Sequence, residues 1–162
     1  MRTLPIENRE EIDRIITSCK TCFLAMSDEG NPYVVPMNFA LDGDCVILHS
    51  GQSGRKWETL RRNPRVCLHW MVGEELLWQD ESVGCSYRVG SKTVLAEGIA
   101  GFVEEYAEKE RCMHKLMAQY SSLTFRFGKP SIDHVGVIRV RIGKISARDF
   151  GAKTLPAGKT TR

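Results

Sequence analysis

Apolar residues begin this chain at a helical period and then change to a strand period that dominates the rest. Ile12, Ile15, Ile16 and Cys19 repeat at helical spacing behind Asn8 and Glu11, a capping-box pair, so a first helix is expected over 9–19. From Thr21 the pattern alternates. TCFLAMS and PYVVPMNFAL read as two strands joined by a turn at 28–31. In the second, Tyr33, Val35, Met37 and Phe39 share one face, and Val34, Pro36 and Asn38 the other. Pro36 removes one ladder donor, which places this strand at an edge, or beside a bulge or ligand. Asp42-Gly43 is a hairpin signal that returns the chain as DCVILHS. A Ser/Gly loop and a short helix follow, with Trp57 and Leu60 facing the core, and Asn63-Pro64 ends that helix before the strand RVCLHWMV.

The second half continues in the same manner. GEELLWQDES is polar and reads as a loop or a short helical turn. Two strands are expected near GCSYRV and TVLAEGIAGFV, with Gly90-Ser91 as their turn. Met113, Leu116, Met117 and Tyr120 put a helix over 105–120. A Gly/Pro-containing loop then leads to HVGVIRVRIGKISARDF, one bent strand or two. Six to seven short antiparallel strands with two or three helices predict a mainly β protein, a small β-barrel with peripheral helices. Parallel βαβ units are excluded, because most strands lack a following helix. Residues 1–150 form one expected domain, and the tail 151–162 has little to bury and is expected to be mobile.

Composition narrows the function classes. Net charge is +3 with acids and bases interspersed, so no basic tract argues for nucleic acid. Apolar runs fall far short of the roughly 20 residues of a membrane helix, and the N-terminus lacks the apolar region of a secretory signal. A cytoplasmic protein is expected. Six scattered cysteines fit a reducing compartment. Cys19 and Cys22 have CxxC spacing, but they sit at the end of a helix, where the dipole opposes a thiolate. No second pair at metal spacing exists, so both are expected in the core and no metal site is expected.

Chemistry concentrates in VILHSGQSGRKWETLRRNPRV. A small-residue loop, a helix start and the cations Arg55 and Lys56 converge as a seat for phosphate. Arg grips a phosphate with a planar fork and Lys offers a point charge, so the pair suits a dianion. The plainer reading makes both solvated surface residues, as Arg61 and Arg62 are expected to be. His49 ends the strand directly before the loop; it is either a group in a ligand crevice or a partly buried histidine bonded to backbone. Gly158-Lys159-Thr160 is not expected to be a phosphate-binding loop, since Lys153 stands where the first glycine should be, and Gly51-Gln52-Ser53-Gly54 is not a nucleophile elbow.

PYVVPMNF, the Gly-Asp turn and ILHSGQSGRKWETLRRNPRV together resemble the pyridoxamine 5′-phosphate oxidase-like flavin-binding split β-barrels. The His-Ser before the loop and the Gly-Arg-Lys helix start are most similar to the nitroimidazole-resistance branch. The resemblance covers about Ile12 to Val103. It implies an FMN-binding split barrel and a homodimer with the cofactor at the interface. It implies Ser53, Arg55 and Lys56 as phosphate ligands with Ser50 nearby, and Pro36, Met37 and Asn38 along the isoalloxazine ring. His49 would be a ring-side or substrate-side group, and Tyr87 and Arg88 would reach the flavin from the partner. The implied activity is a flavin-dependent oxidoreductase acting on a small molecule such as a nitroaromatic. A non-catalytic flavin or haem carrier or sensor, or a deazaflavin-dependent reductase, is the alternative, with FAD, haem or deazaflavin as cofactor. Relatives carry a Tyr-Arg-Ser-Val type element where this chain has Tyr87-Arg88-Val89, and the C-terminal basic signature of the true oxidases is missing, so vitamin B6 synthesis is not implied.

Overall fold

A computed structural model describes residues 3–151 and the backbone of Gly158 and Lys159. The described residues gather into two compact units. The larger comprises Lys20–His69 and Ala96–Ile145; the smaller comprises the chain up to Cys19, Trp70–Leu95, and the chain from Ser146 onward.

In the larger unit, β2 (Cys22–Asp28) and β3 (Asn31–Met37) form a hairpin with Cys22 opposite Met37 and Asp28 opposite Asn31. Glu29 and Gly30 turn it with positive φ at both positions (52° and 88°), the handedness that suits a tight β-hairpin. β4 (Phe39–Asp42) and β5 (Cys45–Ser50) form a second hairpin about Gly43, φ 61°. Three longer strands, β6 (Arg65–Trp78), β7 (Arg88–Val103) and β8 (Gly136–Asp149), complete the order β3-β2-β6-β7-β8-β5-β4. β3 lies at an edge of this order, where the missing N–H of Pro36 costs no ladder bond.

Three helices cover these strands: α2 (Arg55–Arg62), α3 (Tyr106–Ala118) and α4 (Lys129–His134). Cys112, Met113 and Leu116 of α3 pack with Ala40, Ile47, Ile132 and Val137 in one buried cluster. Each fully buried aliphatic side chain there contributes about 1.5–3 kcal/mol. The predicted strand over 32–41 is broken at Asn38. There the Phe39 N–H donates to the Tyr120 hydroxyl (2.8 Å), which donates to the Lys20 carbonyl (3.0 Å). A side chain from beyond α3 thus takes over the ladder bond at the break.

In the smaller unit α1 (Arg9–Ser18) buries Ile12, Ile15 and Ile16, and the Asn8 side chain accepts from the Glu11 N–H at 2.8 Å. Glu11 does not complete the capping box; its carboxylate pairs with Lys92 at 2.6 Å. β1 (Leu4–Ile6), which the hydrophobic pattern does not signal, pairs with β8, and β9 (Gly158–Lys159) pairs with β6. Cys19, and Cys22 of the larger unit, are buried and form no disulfide, and burial pushes the Cys19 thiol pKa up, as expected of packing residues. Apart from Gly151 and the β9 backbone, the expectation of a mobile tail lies outside the described residues.

Three expected loops are regular structure in whole or in part. Residues 73–78, read as loop, continue β6: Gly73 takes φ 70°, and alternation resumes beyond it with Leu77 buried and Leu76 exposed. The Glu74-Glu75 pair hid that register. Gly90-Ser91 is no turn but the interior of β7. A Cβ at Gly90 would lie 2.7 Å from Leu77 Cδ1, so the glycine serves close packing. The expected Gly/Pro loop is present over residues 121–128, and α4 takes up the rest of it, with Pro130 in its first turn, where its missing N–H is harmless.

Gly136 is a comparable close approach. A Cβ there would lie 2.2 Å from Trp57 Cζ2 and 3.0 Å from the Gly51 carbonyl. Gly136→Ala is expected to lower stability by about 1–3 kcal/mol, through displacement of a buried ring. Urea unfolding measures it; an unchanged midpoint would show that Trp57 yields freely.

Candidate functional site

α2 is amphipathic. Trp57 and Leu60 are 6 % and 2 % exposed, which turns Arg55, Lys56, Arg61 and Arg62 outward or along the flanks. The helix begins at Gly54, φ 94°, whose carbonyl accepts from the Trp57 and Glu58 N–H groups at 2.9 and 3.2 Å. Gly54 offers no side-chain cap, so the first-turn N–H groups have no side-chain acceptor. The preceding loop is fastened from below. Trp57 Nε1–H donates to Ser50 Oγ at 3.0 Å, the Ser50 hydroxyl donates to the Gly51 carbonyl, and Gln52 donates its amide to the Asp133 and Val135 carbonyls. Ser53 is exposed, and its hydroxyl holds no protein hydrogen bond among the described residues.

The basic pair is divided. Arg55 Nε donates to Asp28 Oδ2 at 2.9 Å, and its guanidinium lies over the Tyr33 ring, 4.2 Å from the centroid. Arg62 takes the other oxygen of Asp28 at 2.5 Å, so the two guanidiniums hold that carboxyl below its usual range. Arg61 lies over the Trp57 and Phe102 rings, 5.6 Å from each. Both far-end arginines are exposed, as expected, and each also has a partner.

Lys56 turns the other way. Its half-buried ammonium donates to Met37 Sδ at 3.3 Å, a weak acceptor, and makes no ion pair among the described residues. Burial alone pushes its pKa down. His49 stands close enough to feel that charge: burial first, then Lys56, lowers its pKa. The structure thus brings Met37, His49 and Lys56 together beside the loop carrying Ser50 and Ser53. Pro36 is exposed on β3, and Asn38 Nδ2 donates to the Lys20 carbonyl at 3.4 Å. Arg55 stands apart on the Asp28 side. Tyr87 and Arg88 belong to the smaller unit; Tyr87 stacks on Trp78 (5.4 Å) and donates to the Glu81 carbonyl, and Arg88 Nε is buried with no hydrogen-bond partner among the described residues. Sequence reading missed Asp28 and Tyr33, which lie 27 and 22 residues before Arg55 and carry no motif that ties them to it.

The chemistry of these donors fits a phosphate. A half-buried ammonium with only a thioether partner, an unengaged serine hydroxyl and uncapped first-turn N–H groups all lack an anion.

His49 gives a pH test. Its proton binds less readily in the folded chain than in the unfolded one, so the neutral ring's contribution to stability is complete above about pH 6.5 and is lost as pH falls through the lowered folded value. Lys56→Met is expected to raise the imidazole titration midpoint, read from the ring-proton NMR shifts. An unmoved midpoint would show that the Lys56 charge does not reach the ring.

Comparison with known proteins agrees with this geometry. A family profile described as Pyridoxamine 5′-phosphate oxidase matches residues 9–149. No curated protein sequence matches the chain. Among solved structures, a candidate 5-nitroimidazole antibiotic resistance protein from Bacteroides thetaiotaomicron is 35 % identical, with 91 % of this chain and 87 % of that one covered and a TM-score of 0.83. The flavocytochrome Anf3 from Azotobacter vinelandii (18 % identity, 97 % and 72 % covered, TM-score 0.81) shares the fold. So does a FAD and heme binding protein from Mycobacterium smegmatis (12 % identity, 96 % and 82 % covered, TM-score 0.82). The described residues contain no helix long and apolar enough to cross a membrane. The strand order is that of a mainly β split barrel, and the chain belongs to the pyridoxamine 5′-phosphate oxidase family.

Proposed function

We propose that this protein is a cytoplasmic flavin-dependent oxidoreductase that binds FMN and reduces small nitroaromatic compounds of the nitroimidazole type. The observation that carries the reading is Lys56: a cation half-removed from water, with no carboxylate partner among the described residues, beside an uncapped helix start. Family membership and the 35 % identical relative named for nitroimidazole resistance supply the substrate class.

Lys56, Ser53 and the first-turn N–H groups of α2 hold the phosphate, and Arg55 adds its free guanidinium edge from the Asp28 side. Ser50 keeps the loop in shape through Trp57. Pro36, Met37 and Asn38 border the isoalloxazine ring, and the neutral His49 ring donates or accepts one hydrogen bond beside it. FMN, when bound, supplies the hydride and electron chemistry. The protein positions the flavin and excludes water.

A second copy completes the site. Phe23, Val34 and Ile99 are 46 %, 58 % and 46 % exposed on strands of the larger unit, apolar area that a homodimer would cover. Tyr87 and Arg88 then reach the flavin from the partner subunit.

A second reading, a flavin or haem carrier without turnover, is favoured by one observation. His49 is held neutral, the form in which imidazole ligates a metal. A deazaflavin could use the same phosphate seat.

Absorbance of the purified protein separates these: flavin bands support the first reading and a Soret band the second. Reduced nicotinamide plus a nitroimidazole should give turnover above that of free FMN; turnover no faster than free flavin would leave a carrier. Lys56→Met is expected to weaken FMN retention about ten- to hundredfold, the value of a charge-assisted hydrogen bond. Arg55→Gln should cost less, because part of that guanidinium is already engaged by Asp28. Equal losses would show that both cations grip the phosphate alike.

A further inference from the structure

A cleft of about 370 Å³ lies in the larger unit behind the phosphate loop, and none of the chemistry above uses it. Lys109 of α3 lines it. This lysine is 7 % exposed, and its ammonium has one hydrogen-bond partner among the described residues, the Asp133 carbonyl at 3.3 Å. An ammonium carries three donors, so two are left without a protein acceptor. Burying a cation in that state is costly unless something else meets it. The Asp133 carboxylate does not, since it is paired with Lys129 at 2.7 Å.

The rest of the lining defines what would. Arg61 adds a second cation at the rim, and Glu104 adds one carboxylate. With Asp133 neutralised by Lys129, the cleft carries one net positive charge. Its apolar lining is Trp57, Phe102, Tyr106, Val103 and Val135. The Trp57 and Phe102 rings are stacked on each other at 4.2 Å, which takes up one face of each. The volume is at the small end of the range for ligand pockets.

We infer that this cleft is a binding site for a small aromatic monocarboxylate, its carboxylate on Lys109 and Arg61 and its ring against the aromatic side chains of the lining. It is separate from the proposed flavin seat: Lys56 and His49 are not among its lining. Gln52, which lines the cleft and is bonded to the same Asp133 carbonyl as Lys109, joins it to the phosphate loop.

Benzoate is the probe, titrated calorimetrically into the flavin-loaded full-length protein, with benzylamine as the charge-reversed control. Saturable one-to-one binding of benzoate, and none of benzylamine, is expected. Lys109→Met should weaken it about tenfold or more, as loss of a charge-assisted bond requires, and Arg61→Gln by a smaller factor. Arg61 is on the exposed rim, so that variant keeps the test decisive if Lys109→Met does not fold. Lys56→Met should leave benzoate affinity unchanged whether or not it loses flavin, which keeps this result apart from that of the flavin reading. No saturable binding, equal binding of benzylamine, unchanged affinity in both cleft variants, or competition between benzoate and FMN would each overturn the inference.

Discussion

The candidate site depends on how one indole is packed. Trp57 is stacked on Phe102 with an interplanar angle of 12°, lies against the bare backbone of Gly136, and donates its N–H to Ser50. These contacts leave α2 one orientation about its axis. Since α2 has only eight residues, fixing Trp57 fixes Lys56 and Arg55 as well, one residue and two residues away. At about 100° per residue, the two cations must leave the helix in different directions. They do: one toward Met37, the other toward Asp28. The loop before α2 is held by the same ring through Ser50, so helix start, loop and cations move as one piece.

Electrostatics then separates the two cations by task. Arg55 shares Asp28 with Arg62 and covers Tyr33, contacts that secure the turn of the first hairpin to α2. The two guanidiniums are open to solvent, where ion pairs contribute little individually, so the cluster serves geometry more than stability. Lys56 is the costly one. Its charge is half-desolvated and unpaired, and it depresses the neighbouring imidazole as well. A fold keeps such a group at a cost, and under the proposed function an arriving phosphate would remove that cost on contact and so concentrate binding free energy on Lys56.

Much of this was legible in the sequence because it rests on local rules. Period-two alternation located β2, β3, β5 and the first half of β6, Asp42-Gly43 marked its hairpin, and Asn8 marked the start of α1. Trp57 and Leu60 were assigned to the core from helical spacing, as the structure has them. What was hidden depends on distant partners. Gly90 has the sequence signature of a turn, yet it is a strand residue because Leu77 packs on it. Asn38 breaks a strand because Tyr120, 81 residues on from Phe39, supplies the bond. The division of Arg55 from Lys56 belongs to this class too: adjacency suggested one grip, and only the position of Asp28 shows two.

That division bears on why a lysine stands at the critical position. A guanidinium at residue 56 would present a planar fork with five donors, which a single thioether acceptor could not begin to satisfy. An ammonium on a flexible stem can rest against Met37 Sδ when no anion is present and rotate its donors to one when it arrives. Its point charge also titrates, so burial can lower its pKa without unfolding the helix start; a guanidinium has no such release. The planar fork suits position 55 instead, where a carboxylate and an aromatic face are already in place. The order Arg-Lys, rather than Lys-Arg, follows from what each side of α2 faces.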